Sequence, residues 1–403
     1  MKKYKVGIIL PGKLPVPAVK GGAIETLMTS IVKKHNEFSD IELVVFSEYH
    51  KKAKKIADEH YPSVNIQWLH SNQLVDKFKK FMYRAIRKIT KRSFCSLIPH
   101  YGVIYNKIKN DKMDLLIVQG GDANTVKKIT RRLTHTKLAY HLHFNCKPED
   151  TIKNYFPYII ATSDFIAKEY EKYSERDLNT YVVRNAINLA AFQKQSSKSE
   201  QTQLREGLRI SKNDFVILFV GRLLPEKGIK ELMEAIIHLN RPDIKLLVIG
   251  SVKFALDIKT EYSMKIEQMC NENQEKFIFT GYVENSQIYK YSDIADIQCV
   301  PSTCEEAAGL VVLEAMAKGL PTIVTKSGGM PEYVTEDTSI IVDKGEHLVE
   351  NLEEAIIQLK NDTQKREKMG KAAKEHVKQY SEDHFYTEYC TVIKEILNEN
   401  TCS

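Results

Sequence analysis

Two successive series of short apolar strands, each alternating with amphipathic helices, predict an α/β chain of two doubly wound domains. Runs at 4–10, 41–47, 65–70, 113–119, 137–143, 158–162 and 181–184 form the first series. After a polar stretch at 193–201, runs at 216–220, 245–249, 277–280, 297–300, 322–325 and 339–342 form the second. Strands that alternate with helices pair in parallel, because each crossover helix returns the chain to the same sheet end. The expected boundaries are 1–184 for an N-terminal Rossmann-like domain, 185–380 for a C-terminal one, and 381–403 for a last helix that returns to the first. A chain of 403 residues, 43% hydrophobic, has material for both cores.

The opening Met1-Lys2-Lys3 followed by Val6-Gly7-Ile8-Ile9-Leu10 mimics a short signal peptide. Its apolar stretch stops at Pro11 with no small-residue cleavage site, so a first β-strand is the better reading. No apolar run approaches the length needed to cross a bilayer. The seven cysteines, at 95, 146, 270, 299, 304, 390 and 402, have no metal-ligand spacing and no Cys-x-x-Cys. They fit reduced thiols, hence a cytoplasmic setting.

The net charge of +7 is unevenly placed. Residues 77–92 hold Lys77, Lys79, Lys80, Arg84, Arg87, Lys88, Lys91 and Arg92 with no acid, interleaved with Phe78, Phe81, Met82, Ala85, Ile86 and Ile89. Two readings fit this pattern. One is a helix lying on an anionic membrane surface, a peripheral contact at the inner face. The other is a domain helix with its apolar stripe packed inward and a solvated basic face. No base-reading motif accompanies the charge, so a nucleic-acid partner is not expected.

In open parallel sheets, ligands bind beyond the carboxyl ends of the strands. Gly221, Arg222, Gly250, Gly281, Ser302 and Ser327 each follow a predicted strand and should converge on one rim of the second domain. His143 and Asn145 follow a strand of the first domain and are expected to face that rim across a cleft. His141 and His143 alternate onto one strand face; His143, at the strand end, is the functional candidate, and His141 reads equally well as a satisfied core histidine. No third ligand is evident near the pair, which argues against a metal.

The densest block is Cys304-Glu305-Glu306-Ala307-Ala308-Gly309-Leu310, continuing through Glu314 to Lys318-Gly319, with Pro321 and Ser327-Gly328-Gly329-Met330-Pro331-Glu332 beyond. Glu306 sits in a loop, and Glu314 lies in the helix that Gly309 opens. That helix is apolar nearly all round and should be buried, where an unpartnered carboxylate is costly. Its N-terminus offers free N–H groups and a positive dipole end, a seat for phosphate. A plainer reading pairs Glu314 with Lys318 four residues on, leaves Glu305 and Glu306 solvated, and makes Gly319 a C-cap. Arg222 and Lys227, in Val220-Gly221-Arg222-Leu223-Leu224-Pro225-Glu226-Lys227-Gly228, supply fixed cations for a diphosphate.

These blocks together resemble the retaining glycosyltransferases of family 4, which have the GT-B fold. The pattern of two glutamates with seven residues between them, Ala-Met-Ala, Gly-x-Pro and the Gly-Gly-x-Pro-Glu turn carries most of the resemblance. The opening Leu14-Pro15-Val16-Pro17 with Gly21-Gly22-Ala23-Ile24-Glu25 is similar to the N-terminal loop of bacterial members, including the spore-coat-protein-SA-like group. The resemblance implies a hexosyltransferase that moves a sugar from a nucleoside-diphosphate donor, UDP-linked, to a surface-glycan or lipid-linked acceptor, with retained configuration. It implies that Glu306 contacts the donor sugar, and that Arg222 and Lys227 hold the diphosphate with the N–H groups of Ala308, Gly309 and Leu310. Glu314 would take the ribose hydroxyls, and Tyr282 and Val283 would flank the base beside Gly221 and Gly250. Gly22 would approach the phosphate or the acceptor, with Glu25, His141 and Asn145 in acceptor or secondary roles and His143 among the catalytic groups. No cofactor or metal is implied, and the sequence has no Asp-x-Asp.

The sequence departs from the family's usual Glu-Gly-Phe-Gly or Glu-Pro-Phe-Gly at Ala307 and Ala308, and Asn188 stands where an Asp is usual. A nucleotide-sugar epimerase of the same architecture, or a catalytically weak coat or scaffold protein, are the competing readings. Gly-x-Gly-x-x-Gly is absent from both first βα turns, which disfavours a dinucleotide-dependent dehydrogenase.

Overall fold

The computed structural model describes residues 3–12, 14–35, 41–70, 73–90, 101–109, 111–120, 133, 135–144, 156–172, 178–250 and 261–399. The chain divides into two compact units: Met1–Asn185 with Glu382–Ser403, and Ala186–Ser381.

In the first unit, β1 (Tyr4–Ile9), β2 (Ile41–Glu48), β3 (Asn65–Leu69), β4 (Leu115–Val118), β5 (Lys137–Leu142), β6 (Tyr158–Ala161) and β7 (Asn179–Val182) form one sheet in the order β3-β2-β1-β4-β5-β6-β7. Every pairing is parallel. The helices of this stretch are α1 (Ala23–His35), α2 (Lys51–His60), α3 (Gln73–Thr90), α4 (Tyr101–Ile108) and α5 (Asp164–Glu171). Strands covered on both faces read as unbroken apolar runs, as Leu115-Leu116-Ile117-Val118 does, all fully buried. The last strand starts two residues earlier than the apolar run suggests. It is the half-exposed edge of the sheet, where Asn179 and Thr180 pair with Tyr158 and Ile159 without needing apolar side chains.

The second unit holds β8 (Phe215–Val220), β9 (Ile244–Ile249), β10 (Phe277–Gly281), β11 (Ile297–Val300), β12 (Thr322–Thr325) and β13 (Ser339–Val342), all parallel, in the order β10-β9-β8-β11-β12-β13. Its helices are α6 (Leu189–Phe192), α7 (Lys198–Gly207), α8 (Ile229–Leu239), α9 (Glu261–Glu272), α10 (Ile288–Ser292), α11 (Leu310–Lys318), α12 (Leu348–Asn361) and α13 (Thr363–His376). Asn188 caps α6 through its side-chain oxygen, which accepts from the Ala191 N–H. Ser197 and Glu200 cap α7 reciprocally. Leu232, Met233 and Ile236 of α8 share one core with Leu352, Ile356 and Leu359 of α12. The sheet order reverses between β8 and β11, the switch point where a doubly wound sheet opens a crevice. Two doubly wound parallel sheets are the GT-B architecture that the sequence resemblance implies.

The final helix, α14 (Glu382–Asn398), packs along α1 of the first unit. Ser30 Oγ donates to Glu382 at 2.7 Å, Lys34 pairs with Asp383 at 2.6 Å, and Lys137 Nζ donates to the Ile396 carbonyl at 2.6 Å. Phe385, Tyr389, Ile393 and Ile396 fill the interface, each at most 3% exposed. Among the described residues no helix is long and apolar enough to cross a membrane. Removing the Phe385 ring leaves a cavity that its neighbours only partly close. Phe385→Ala is therefore expected to destabilise the first unit by about 3–5 kcal/mol, read from its urea transition.

Candidate functional site

The site is built on the loops that leave β8, β11 and β12. After β8, the chain turns through Gly221 and Arg222 into a single 3-10 turn at Pro225–Lys227, closed by Gly228 at φ 68°. A Cβ at Gly228 would lie 1.9 Å from the Pro301 carbonyl oxygen, so only glycine lets this loop meet the one after β11. The contact is fixed by the Thr303 N–H donating to Glu226 O at 3.0 Å and Thr303 Oγ1 donating to Pro225 O at 3.3 Å. Gly250 meets Gly221 as closely: its Cβ would stand 1.9 Å from the Gly221 carbonyl oxygen. The Gly250 N–H donates to Gly281 O at 3.0 Å, which sets Tyr282 and Val283 at the next strand end, Tyr282 exposed.

Across this junction Lys227 Nζ bonds Glu306 Oε1 at 2.5 Å, and buried Ser302 donates to the same oxygen at 2.6 Å. Both charged side chains are mostly covered, at 24% and 17% exposure. The turn after β12 holds the glutamate's backbone: Gly329 N–H donates to Glu306 O at 2.7 Å, and a Cβ on Gly328 would lie 2.2 Å from that same oxygen. Ser327 Oγ accepts from the Glu306 N–H at 3.3 Å and donates to Cys304 O. Glu305 instead turns outward to Lys344 and the Gly328 N–H.

Two groups here lack partners among the described residues. The Arg222 guanidinium is exposed with no acid beside it. The N–H groups of Ala308, Gly309 and Leu310, at the head of α11, have no acceptor. A guanidinium, an ammonium and a positive helix end are each groups that attract a multiply charged anion.

Glu314 lies in the second turn of α11, and burial pushes its carboxyl up to about 8. The spacing-based pairing of Glu314 with Lys318 does not form. Lys318 turns to Asp293 at 2.5 Å, with side chains only 4% and 7% exposed, and to the Lys194 carbonyl. Asp293 also accepts from the Ser196 N–H at 2.7 Å, so the stronger competing acceptor closes a loop rather than a helix turn. Gly319 does cap the helix, at φ 75°.

In the first unit, His143 follows β5 and is held by Gln119 at 2.7 Å. Burial pushes its imidazole down to about 3. His141 is fully buried, its ring 4.0 Å from that of His143, but neither of its nitrogens has a partner among the described residues. It is a core histidine without the hydrogen bonds expected of one. Gly22, at φ 101°, has its Cβ position taken by Glu25 Oε2, 2.2 Å away. Burial raises the carboxyl of Glu25 above the usual range. Asn145 lies outside the described residues. Ser302, Gln119 and Tyr389 are the polar groups whose contacts sequence reasoning missed. The strand-end rule locates Ser302 and Gln119, but nothing local marks Tyr389.

Residues 200–376 match the family described as Glycosyl transferases group 1. The lipopolysaccharide 1,2-N-acetylglucosaminetransferase of Salmonella typhimurium is 27% identical over 341 residues, covering 83% of this chain and 82% of that protein. Spore coat protein SA of Bacillus subtilis is 24% identical over 379 residues, with 91% and 93% covered. Among solved structures, Anabaena Alr3699/HepE in complex with UDP and glucose superposes with a TM-score of 0.74 at 18% identity, over 97% of this chain and 100% of that one. The site and these matches define the class: the chain is an enzyme, a glycosyltransferase. More particularly, the stretch similar to the group 1 model lies within its second unit.

Glu314 gives the site a pH signature. A carboxyl raised in the folded state holds its proton where the unfolded chain has lost it, so stability falls as pH rises from about 4.5 to 8. Glu314→Gln should raise the melting temperature by an amount that grows across that window and is absent at pH 4. A constant difference at every pH would remove burial as the cause.

Proposed function

We propose that the protein is a retaining, metal-independent family 4 hexosyltransferase that uses a UDP-linked sugar and a surface-glycan or lipid-linked acceptor. The second unit binds the donor, and the first binds the acceptor. The observation that carries this reading is the pairing of Lys227 with Glu306 two residues ahead of the open head of α11, in the unit that also holds Arg222, a guanidinium without a partner among the described residues. As the anomeric C–O bond breaks, negative charge accumulates on the departing diphosphate. Arg222, Lys227 and the N–H groups of Ala308, Gly309 and Leu310 neutralise it without reorganising. Fixed cations do this work in a sequence that has no Asp-x-Asp.

Glu306 is the counter-ion of Lys227 in the structure. The incoming diphosphate takes the ammonium, and Glu306 turns to the donor sugar's hydroxyls. Glu314 accepts from the ribose, and the Tyr282-Val283 backbone borders the base. His143 bonds a sugar hydroxyl. UDP as the carrier is supported by the HepE complexes with UDP and with UDP-glucose.

The basic helix α3 supports a membrane-proximal acceptor. Phe78 and Phe81 are 64% and 67% exposed, with Lys77, Arg84 and Lys88 also exposed on the same helix. These two rings are not packed inward, as the solvated-face reading requires. An exposed aromatic pair among cations fits the headgroup region of an anionic leaflet.

Two outcomes test the proposal. Arg222→Ala should lower kcat by about a hundred- to a thousandfold, while the melting temperature without ligand is unchanged, since the guanidinium makes no bond among the described residues. The wild-type melting temperature should rise with UDP and respond less to GDP or ADP. Normal turnover in Arg222→Ala would remove the diphosphate assignment. For the helix, Lys77→Glu with Arg84→Glu and Lys88→Glu should weaken binding to phosphatidylserine vesicles by about a hundredfold, at about 1 kcal/mol per cation. Unchanged co-sedimentation would return α3 to a solvated role.

A further inference from the structure

Gln119 follows β4 directly, at the point where the first sheet's order reverses between β1 and β4. It is fully buried and bonded on both sides. Its amide nitrogen donates to Tyr389 Oη of α14 at 2.7 Å, and its carbonyl oxygen stands 2.7 Å from His143 Nε2. With the amide nitrogen on Tyr389, the carbonyl oxygen faces Nε2 and accepts from it, so Nε2 carries the proton in this orientation of the amide. Burial keeps the ring neutral. A neutral imidazole with hydrogen on Nε2 has its lone pair on Nδ1, which has no partner among the described residues. Tyr389, itself fully buried, is packed by Phe385 at 5.8 Å and His141 at 5.7 Å between ring centroids, so it cannot swing away from the amide.

We propose that Gln119 is a positioning residue: braced by Tyr389 of the last helix, it holds His143 in the Nε2–H tautomer, so that Nδ1 presents a hydrogen-bond acceptor to a sugar hydroxyl. The role in turnover rests on the reading of His143 as a site residue, whereas the tautomer does not. The contact makes α14 part of the site's support, although Tyr389 lies 270 positions from Gln119. The chemistry suits a hydroxyl that must be a donor, whether for orientation or for release of its proton. It is ill suited to an anion, because the lone pair repels one.

The ring-nitrogen NMR spectrum of isotope-labelled histidine, with His143 assigned through His143→Ala, reads the tautomer directly. Wild-type protein should show hydrogen on Nε2, and Gln119→Leu should shift His143 toward a mixture of tautomers. In kinetics, Gln119→Leu should lower kcat by about ten- to a hundredfold with the donor KM within about twofold. Gln119→Glu keeps an acceptor opposite Nε2 and should restore the tautomer and part of the turnover. Tyr389→Phe, which preserves the packed ring, should give a smaller shift of the same sign and covers the case in which Gln119→Leu does not fold. Hydrogen on Nδ1 in the wild type, or a His143 spectrum indifferent to both substitutions, would overturn the inference. Full turnover in His143→Ala would remove His143 from the reaction and with it the catalytic part of the proposal, leaving the tautomer measurement to judge the Gln119 contact by itself.

Discussion

The loops of the second unit depend on one close approach between backbones. The loop after β8 reaches the loop after β11 because residue 228 has no side chain, and a Cβ there would enter the Pro301 carbonyl. Without that contact Thr303 could not bond Glu226 and Pro225, and Lys227 would not lie against Glu306. The same requirement recurs on each side. Gly250 lies against the Gly221 carbonyl, and Gly328 against that of Glu306. Three glycines thus draw loops from separate strands to within bonding distance, which no set of larger residues permits. The switch point of the sheet supplies the crevice, and these contacts give it its shape.

Two glutamates on one loop-helix segment meet opposite treatments. Glu306 is given an ammonium and a serine hydroxyl, whereas Glu314 is placed in a helix packed by Val312, Leu313, Ala315 and Met316, where burial raises its carboxyl. A carboxyl that keeps its proton near neutrality has poor reason to remain in an apolar helix unless a polar ligand completes it. Glu306 and Lys227 share their unit with a guanidinium and with helix-head N–H groups that have no partner among the described residues.

Much of this was legible in the sequence, and the reason is periodicity and local motif. Parallel strands buried on both faces write themselves as apolar runs, so thirteen of them could be placed to within a few residues. Glu306, Lys227 and Arg222 stand in short segments whose glycines and prolines announce tight turns. The errors came where a distant residue competed. Lys318 leaves Glu314 for Asp293, twenty-five positions back in the chain, because a buried carboxylate with a backbone donor already attached is the better partner. β7 begins at Asn179 because an edge strand has no need of an apolar inner pattern. Helix spacing and hydropathy have no term for either effect.

The histidine block shows the same boundary more sharply. Alternation placed His141 and His143 on one face, and their rings do meet, tilted, at 4.0 Å. What distinguishes the two chemically is Gln119, a residue with no motif, and Tyr389, brought in by a helix at the other end of the chain. His141 is more deeply buried and has neither bond among the described residues. A histidine with a fixed tautomer can discriminate between a donor and an acceptor hydroxyl, whereas one with unpartnered nitrogens is held by packing alone. The difference between them is therefore a property of the folded unit and its returning C-terminal helix. Local sequence names the residue type at such a site, and the long-range hydrogen bond decides which way it faces its chemistry.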